Sequence, residues 1–361
     1  MKNILVTGGA GFIGSNFIHY LSANSAFENL VNLDALTYAG SLENLREIEN
    51  DRRYTFIHGN ICDRELVQDL LRRYEIDTIV HFAAESHVDR SILAPDQFIQ
   101  TNIVGTFNLL EAARQVWINQ PAKKESEFHF HHISTDEVFG ALRPEDPAFT
   151  ETTPYSPNSP YAASKASCDH LVRAYFQTYR LPVTITNCSN NYGPRQFPEK
   201  LIPLMIMNAL DGKALPVYGD GQQIRDWLYV DDHCEAILKV IAQGNPGQSY
   251  NVGGGNQPAN IEIVETLCDI LDELAPVSAC HSYKKLIQFV TDRPGHDRRY
   301  ATDITKIKSK LHWQPHYSLK DGLTKTVQWY LDHLNWVETI RQRNDYQGWI
   351  KENYQKKAVE K

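Results

Sequence analysis

Tyr161 and Lys165 stand four residues apart in Ser159-Pro160-Tyr161-Ala162-Ala163-Ser164-Lys165. Ser159 suits a helix cap and Pro160 a first helical turn, so the spacing places the phenol and the ammonium one turn apart on one helix face. An unperturbed phenol, with a pKa of ~10, is a poor base; a nearby cation favours its phenolate. A second group, Ser134-Thr135-Asp136-Glu137-Val138-Phe139-Gly140, closes a strand-like apolar run. Thr135 can hydrogen-bond a hydroxyl under attack by such a base. Asp136 and Glu137 set two carboxyls side by side, which suits a general acid and a general base. By position alone the same two acids also suit a helix N-cap or a solvated turn, and both readings stand at this point.

A turn at the N-terminus says what else the site holds. Thr7-Gly8-Gly9-Ala10-Gly11-Phe12-Ile13-Gly14 follows the strand-like Ile4-Leu5-Val6 and precedes the helical Ser15–Leu21. Gly8, Gly11 and Gly14 permit a tight turn, close approach of backbone to a pyrophosphate, and close packing of helix on strand. Asp34 ends the next strand twenty residues beyond Gly14. An acid there accepts hydrogen bonds from ribose hydroxyls and repels a 2′-phosphate, so the expected cofactor is NAD, not NADP. A glycine turn that serves packing alone is the competing account. A nicotinium ring would add to the Lys165 ammonium in favouring the Tyr161 phenolate.

The elements that must position these groups alternate. Ile4–Val6, Leu30–Leu33, Tyr54–Ile57, Thr78–Phe82, Phe130–Ile133 and Val183–Thr186 read as strands. Glu65–Tyr74, Ile103–Trp117 and Ala162–Tyr179 read as helices between them. This predicts an α/β fold: a Rossmann-type, doubly wound parallel sheet with helices on both faces, and a smaller C-terminal substrate-binding lobe. The expected boundaries are residues 1–188 for the NAD-binding domain, with 224–252 returning to it, and 189–361 for the lobe. The Lys-rich end, Lys351–Lys361, reads as a frayed, solvated helix end.

A formal charge of -8 with no long basic run argues against nucleic acid. The absence of a signal pattern, and of any apolar stretch near ~18 residues, predicts a soluble cytoplasmic protein with no membrane partner. Six cysteines without a Cys-x-x-Cys pair read as buried apolar residues. His129 and His131 share a strand face and could start a metal site, but no third ligand is evident; a His-rich strand near a sheet edge is the alternative, and no metal is expected.

Taken together, these motifs resemble the dTDP-glucose 4,6-dehydratases of the extended short-chain dehydrogenase/reductase superfamily, over roughly Lys2 to Tyr330. The likeness rests on the Gly8–Gly14 turn, Asp34–Gly40, His81–Ser91, Thr101–Thr106, Ser134–Gly140, Tyr161–Lys165, Asn190–Pro194, Phe197–Pro203 and Asp292–Tyr300. It implies Tyr161 as base for the C4 hydroxyl of a hexose, Lys165 as its partner and Thr135 as polariser of that oxygen. It further implies Asp136 as the acid that protonates the departing C6 hydroxyl and Glu137 as the base that removes the C5 proton. Epimerases of the superfamily usually lack the acidic pair.

For NAD the resemblance implies Phe12, Ile13, Asp34, Ala35, Leu36 and Thr37. It adds Phe82, Ala83, Ala84, Glu85, Ser86, Thr101, Tyr161, Lys165 and Asn191. Family members commonly carry Asp-Ile where this chain has Asn60-Ile61; the Asn60 amide oxygen can still accept from an adenine amino group. For the nucleotide-sugar it implies Ser86, Thr135, Asn190, Lys200, Leu201, Pro216, Val217, Tyr218, Arg225 and Asn260, then Asp292, Arg293, Pro294, Gly295 and His296. Arg225 and Arg293 could grip a diphosphate and Tyr218 could stack on a pyrimidine. The resemblance also implies a homodimer that pairs Ile103–Trp117 and Ala162–Tyr179 with their symmetry mates. The alternatives are a UDP-sugar 4,6-dehydratase or a C4 epimerase on the same scaffold and, from another class, a non-catalytic NAD-binding sensor.

Overall fold

The computed structural model describes residues 1–118, 128–276, 282–292, 296–343 and 348. Cys280, Arg293, Pro294, Gly295 and the Lys-rich end at 351–361 therefore lie outside the described residues.

The first strand, β1 (Asn3–Thr7), is buried at every position. That is the pattern of a strand covered on both faces, and its Ile-Leu-Val run supplies it. It is followed by β2 (Asn29–Asp34), β3 (Tyr54–His58), β4 (Thr78–His81), β5 (His129–Thr135) and β6 (Val183–Cys188). Then come β7 (Asn190–Tyr192), β8 (Leu215–Tyr218), β9 (Trp227–Tyr229), β10 (Ser249–Val252) and β11 (Ile287–Val290). Seven strands form one parallel sheet in the order β3-β2-β1-β4-β5-β6-β10. Chain order reverses between β1 and β4. Such a switch point leaves a crevice outside the carboxyl ends of the strands, where ligands bind in open α/β sheets.

Alternation along the strands sorts side chains onto two cores. Leu5, Val31, Ile79, Phe130 and Ile185 meet Val67, Leu70, Leu109, Ala113 and Val172, on the helices Arg64–Arg73, Gly105–Trp117 and Pro160–Tyr179. Ile4, Val6, Leu30, Val80 and Ile133 meet Phe17, Ile18 and Leu21 of the helix Phe12–Asn24, with Val230, Cys234 and Ile237 of the helix Val230–Gln243. Truncating any one of these fully buried aliphatics to Ala would cost ~2–5 kcal/mol.

A third core lies beyond the strand ends. Met205, Val217, Trp227, Leu267, Val327, Tyr330 and Trp336 build it, together with two short parallel pairs, β8–β11 and β7–β9. Tyr38 and Ala39, from the loop after β2, pack against this core, so the crevice is walled by both parts of the chain. Among the described residues no helix is long and apolar enough to cross a membrane.

Three details depart from the reading of the sequence. The segment expected as one helix from Ile103 begins as a wider π-type turn, Ile99–Val104, before Gly105–Trp117. That turn delivers buried Asn102 to the Glu85 backbone, accepting its N–H at 2.8 Å and donating to its carbonyl at 3.0 Å, and to Ser164 Oγ at 2.8 Å. Of the segment 224–252 expected to return to the main sheet, β9 pairs with β7 outside it, while the helix Val230–Gln243 packs on the sheet and β10 joins it. The His-rich β5 is not near an edge but central, between β4 and β6. Its His129 and His131 are both engaged by Thr184 of β6, at 2.7 and 2.8 Å.

Candidate active site

The crevice begins at the glycine turn. Gly8 has φ +73°, and a Cβ there would sit 2.6 Å from the Ala83 backbone. A Cβ on Gly14 would run into the Gly8 carbonyl oxygen. The helix Phe12–Asn24 starts at Gly11 with no side-chain cap and no acid in its first turn. Its first N–H groups are thus left for an anion. At the end of β2 the Asp34 carboxyl accepts from Ala10 N and Leu36 N, each at 2.8 Å. Burial raises its pKa and these two bonds oppose the rise.

A cavity of ≈310 Å³ runs from Gly11–Gly14, Asp34, Ala35, Thr37, Asn60 and Ile61 past Phe82–Ser86 to Thr101, Thr135, Tyr161, Lys165 and Asn191. An elongated cavity with a glycine floor, a bare helix N-terminus and a carboxyl at the far end fits a dinucleotide. Leu36 does not line it; its side chain packs on the core beneath β1. The Asn60 amide oxygen is already used once, accepting from Cys62 N at 2.8 Å.

At the reactive end, Ser159 caps the helix Pro160–Tyr179 by accepting from Ala162 N at 3.1 Å. This fixes Tyr161 in the first turn. Thr135 ends β5; its hydroxyl accepts from Glu137 N at 3.3 Å, donates to Asp136 Oδ1 at 3.4 Å, and hydrogen-bonds Tyr161. Asp136 is only 1% exposed, which rules out the solvated-turn reading for it. Burial, then the charges of Glu137 and Asp226, push its pKa well above the ordinary carboxylate range, against Arg225 and a bond from Thr302. A carboxyl so placed holds its proton to higher pH than a free one, as a proton donor requires.

Tyr161 is pushed well above 10 by burial and by the charge of Glu137, with the Thr135 bond opposing. The expectation that Lys165 tips Tyr161 toward phenolate needs correction: within the chain the balance favours the neutral phenol. The Lys165 ammonium, which lines the cavity, donates to the Ile133 carbonyl at 2.7 Å and to His132 Nε2 at 3.4 Å.

A second cavity, ≈180 Å³, shares Glu137, Asn190, Asn191, Gln196, Glu199 and Lys200 with the first. Leu201, Pro216, Tyr218, Arg225, Asn260 and His296 are among those that line the rest. Asn190 Oδ1, Gln196 Oε1 and Asn260 Oδ1 are buried acceptors without a partner among the described residues. Buried acceptors are rarely left so, and a ligand carrying hydroxyl or N–H donors would satisfy them. Arg225 donates to the carbonyls of Ile224 and Asp297 at 2.7 and 2.9 Å, with its guanidinium 4.4 Å over the Tyr300 ring. Tyr218 meets His296 edge-on, and His296 Nδ1 pairs with Asp292 Oδ1 at 2.7 Å.

Val217 is not part of this wall; it is buried in the third core, since successive strand residues point to opposite sides. Asp292 stands behind the wall and orients His296. Reading the sequence also missed Glu199, which is 3% exposed and 3.3 Å from Arg90, and Asp226 and Thr302, which stand beside Asp136. For Glu199 its place beside Lys200 was an available signal. Asp226 and Thr302 are brought in by tertiary folding alone.

A family model described as GDP-mannose 4,6 dehydratase matches residues 5–326. The dTDP-glucose 4,6-dehydratase of Neisseria meningitidis serogroup B is 57% identical over 342 residues, 94% of this chain and 96% of that protein. Among solved structures, the dTDP-glucose 4,6-dehydratase DesIV of Streptomyces venezuelae, with NAD and dTDP bound, superposes with a TM-score of 0.85 at 45% identity, covering 94% of this chain and all of that one. A UDP-glucose 4-epimerase of Thermotoga maritima, with UDP-glucose, superposes at 0.80 with 30% identity, over 92% of this chain and all of that one.

Proposed function

We propose, from the premise that the chain belongs to the GDP-mannose 4,6-dehydratase family, that it is an NAD-dependent dTDP-glucose 4,6-dehydratase. It converts dTDP-glucose to dTDP-4-keto-6-deoxyglucose and water. The observation that carries the reading is the buried Asp136 beside Glu137, which lines both cavities, with Tyr161 across the same junction. A C4 epimerase expels no water and has no use for this pair.

NAD, when bound, takes hydride from C4, returns it to C6, and contributes the ring charge that favours the Tyr161 phenolate. Gly8, Gly11 and Gly14 with Phe12 and Ile13 would hold its diphosphate. Asp34 would hold the adenosine ribose, and Thr101, Tyr161 and Lys165 would lie at the nicotinamide end. Tyr161 takes the C4 hydroxyl proton while Thr135 holds that oxygen. The C4 ketone then acidifies the C5 hydrogen, and Glu137 removes it. The C6–O bond breaks as Asp136 gives that oxygen its proton, and water leaves. Glu137 finally returns a proton to C5. Each turnover leaves Tyr161 one proton richer and Asp136 one poorer, so the two must re-equilibrate before the next.

The nucleotide would occupy the second cavity, with Tyr218 against the base and Arg225 near the diphosphate. Residues 1–188, with 224–252, would carry the cofactor and 189–361 the nucleotide. The working form would be a cytoplasmic homodimer. Incubation with dTDP-glucose and, separately, UDP-glucose, followed by mass analysis, tests the activity. Loss of one water from the thymidine sugar is expected, and a 4-epimer of unchanged mass would refute the reading.

A further inference from the structure

His132 of β5 and the acid one turn beyond Lys165 have no part in the reaction just described, yet they meet beside Lys165. Lys165 and Asp169 are four residues apart on the helix Pro160–Tyr179, a spacing at which an ammonium and a carboxylate ordinarily pair directly. Here His132 of β5 stands between them. Its Nε2 is 3.4 Å from Lys165 Nζ and 3.4 Å from Asp169 Oδ1. Lys165 is 4% exposed, and His132 and Asp169 are wholly buried.

We propose that His132 and Asp169 are positioning residues for Lys165: a buried carboxylate, spaced by a rigid imidazole, that holds the Lys165 ammonium in place at the reactive end of the crevice. The inference rests on the reading of Lys165 as the partner of Tyr161.

The surroundings of Asp169 suit an anion. Oδ2 accepts from Ser134 Oγ at 2.9 Å, Tyr155 Oη at 2.8 Å and Asn187 Nδ2 at 3.1 Å, while Oδ1 faces His132. Oδ2 is thus fully hydrogen-bonded, whereas Oδ1 finds no hydrogen-bond donor among the described residues and is left to the charge of Lys165 beyond the ring. Burial raises the pKa of this carboxyl, and the Lys165 charge is the largest opposing influence. His132 Nδ1 has no protein partner. An ammonium can only donate, so Nε2 accepts from Lys165 Nζ, and its 3.4 Å approach to Asp169 Oδ1 is a contact without a hydrogen bond. Burial and the Lys165 charge hold this ring neutral. Lys165 is then anchored by the Ile133 carbonyl and attracted to Asp169 across the imidazole.

The other groups facing the ammonium supply no competing anion. His81 of β4 is kept neutral by burial and is held between Thr7 and Thr106 hydroxyls at 2.8 and 2.9 Å. The Cys168 and Cys188 thiols are both raised by burial. On the substrate side stand Tyr161 and, beyond Cys188, Asp136, both pushed toward their neutral forms. Asp169 also ties Ser134 and Asn187 in place, so one carboxylate aligns the end of β5 with the helix carrying Tyr161 and Lys165.

The test uses the full-length, NAD-loaded enzyme. Asp169→Asn keeps the shape and an acceptor oxygen but removes the charge. The alkaline limb of the kcat–pH profile should then move down by roughly 1–3 units, the usual effect of losing one close opposite charge. KM for dTDP-glucose should change little. Tyr155→Phe removes a single donor from Asp169 and should shift the same limb in the same direction by less, and it serves if Asp169→Asn does not fold. A uniform loss of activity with the alkaline limb unmoved in the folded variants would overturn the proposal and leave Asp169 a packing residue. Full activity in both variants would overturn it too. Failure of the underlying reading looks different: Tyr161→Phe would still generate reduced nicotinamide on mixing with substrate.

Discussion

Asp136 and Glu137 are covalent neighbours in unlike surroundings: the first is sealed at 1% exposure, and the second is partly exposed and lines both cavities. The separate tasks assigned to them follow from this difference and can be separated by experiment. Asp136→Asn should still oxidise C4, accumulate reduced nicotinamide, and exchange the C5 hydrogen with deuterated water, while turnover falls by roughly 10²–10⁴. Glu137→Gln should also oxidise C4 but nearly abolish that exchange. Equal C5 deuterium in sugar recovered from the two variants would mean that the carboxyls share the proton work. A second consequence concerns stability. Because the native Asp136 pKa lies well above its unfolded value near ~3.9, the folded chain binds more protons than the unfolded chain between the two values, and this residue lowers stability as pH rises through that window. Asp136→Asn should therefore match the wild type near pH ~4 and gain on it toward neutrality, by up to about 1.4 kcal/mol per pH unit. Urea midpoints at acid and neutral pH measure this. An inactive variant that is no more stable at neutral pH would contradict the assignment of a neutral Asp136.

Elements were legible in proportion to how far local pattern determines them. The strands β1, β4 and β6 read well because each is buried along its whole length, which a covered parallel sheet accommodates, and the edge strand β3, only partly buried, was still marked by its Tyr-Thr-Phe-Ile run. Ser159, Pro160 and the Tyr161–Lys165 spacing marked the catalytic helix because cap, first turn and face are local properties. By contrast β7 and β9 are three-residue strands that pair only with each other, too short for any period to declare itself. The π-type turn at Ile99–Val104 exists to aim Asn102 at Glu85 and Ser164, partners that the fold supplies and the local sequence does not announce. His132 and Asp169 went unread for the same reason, although the four-residue step from Lys165 was a clue. The turn after β1 was the most legible element of all, and it carries a sharp test. Gly8→Ala would hold a side chain at positive φ, with its Cβ 2.6 Å from the Ala83 backbone. The left-handed conformation alone costs roughly 1–2 kcal/mol, and the backbone clash adds to it by displacing the wall of the crevice. The variant should melt lower and lose NAD on purification. A Gly8→Ala protein that retains NAD at wild-type content would show that the turn does not approach the dinucleotide.

At the scale of the molecule the two parts of the chain are tied at the cofactor loop. Trp336 donates to Asn44 Oδ1 at 2.8 Å and Arg343 to the Gly40 carbonyl at 2.7 Å, so the C-terminal helices close over the segment that follows Asp34. The surface left over is uneven. Of the large hydrophobics that stay exposed among the described residues, Ile92, Leu93, Ile99, Phe107, Ile118 and Tyr179 fall on or beside Val88–Leu93, Ile99–Trp117 and Pro160–Tyr179. Leu93 is 70% exposed and Ile99 49%. An apolar surface contributed by consecutive packed helices is what a two-fold partner covers, each copy presenting the same face to the other. The homodimer we propose places its interface here, against the helix that carries Tyr161 and Lys165 in its first two turns. Leu93→Glu combined with Ile99→Glu buries charge in that interface and should convert a two-chain mass to a one-chain mass in sedimentation at micromolar concentration. Neither residue lines the cavities, so any fall in kcat in the separated chain must come from a catalytic helix no longer braced by its mate, and NAD should remain bound. A wild-type protein that sediments as one chain under the same conditions would remove the basis for this interface, and the apolar surface would then need another partner.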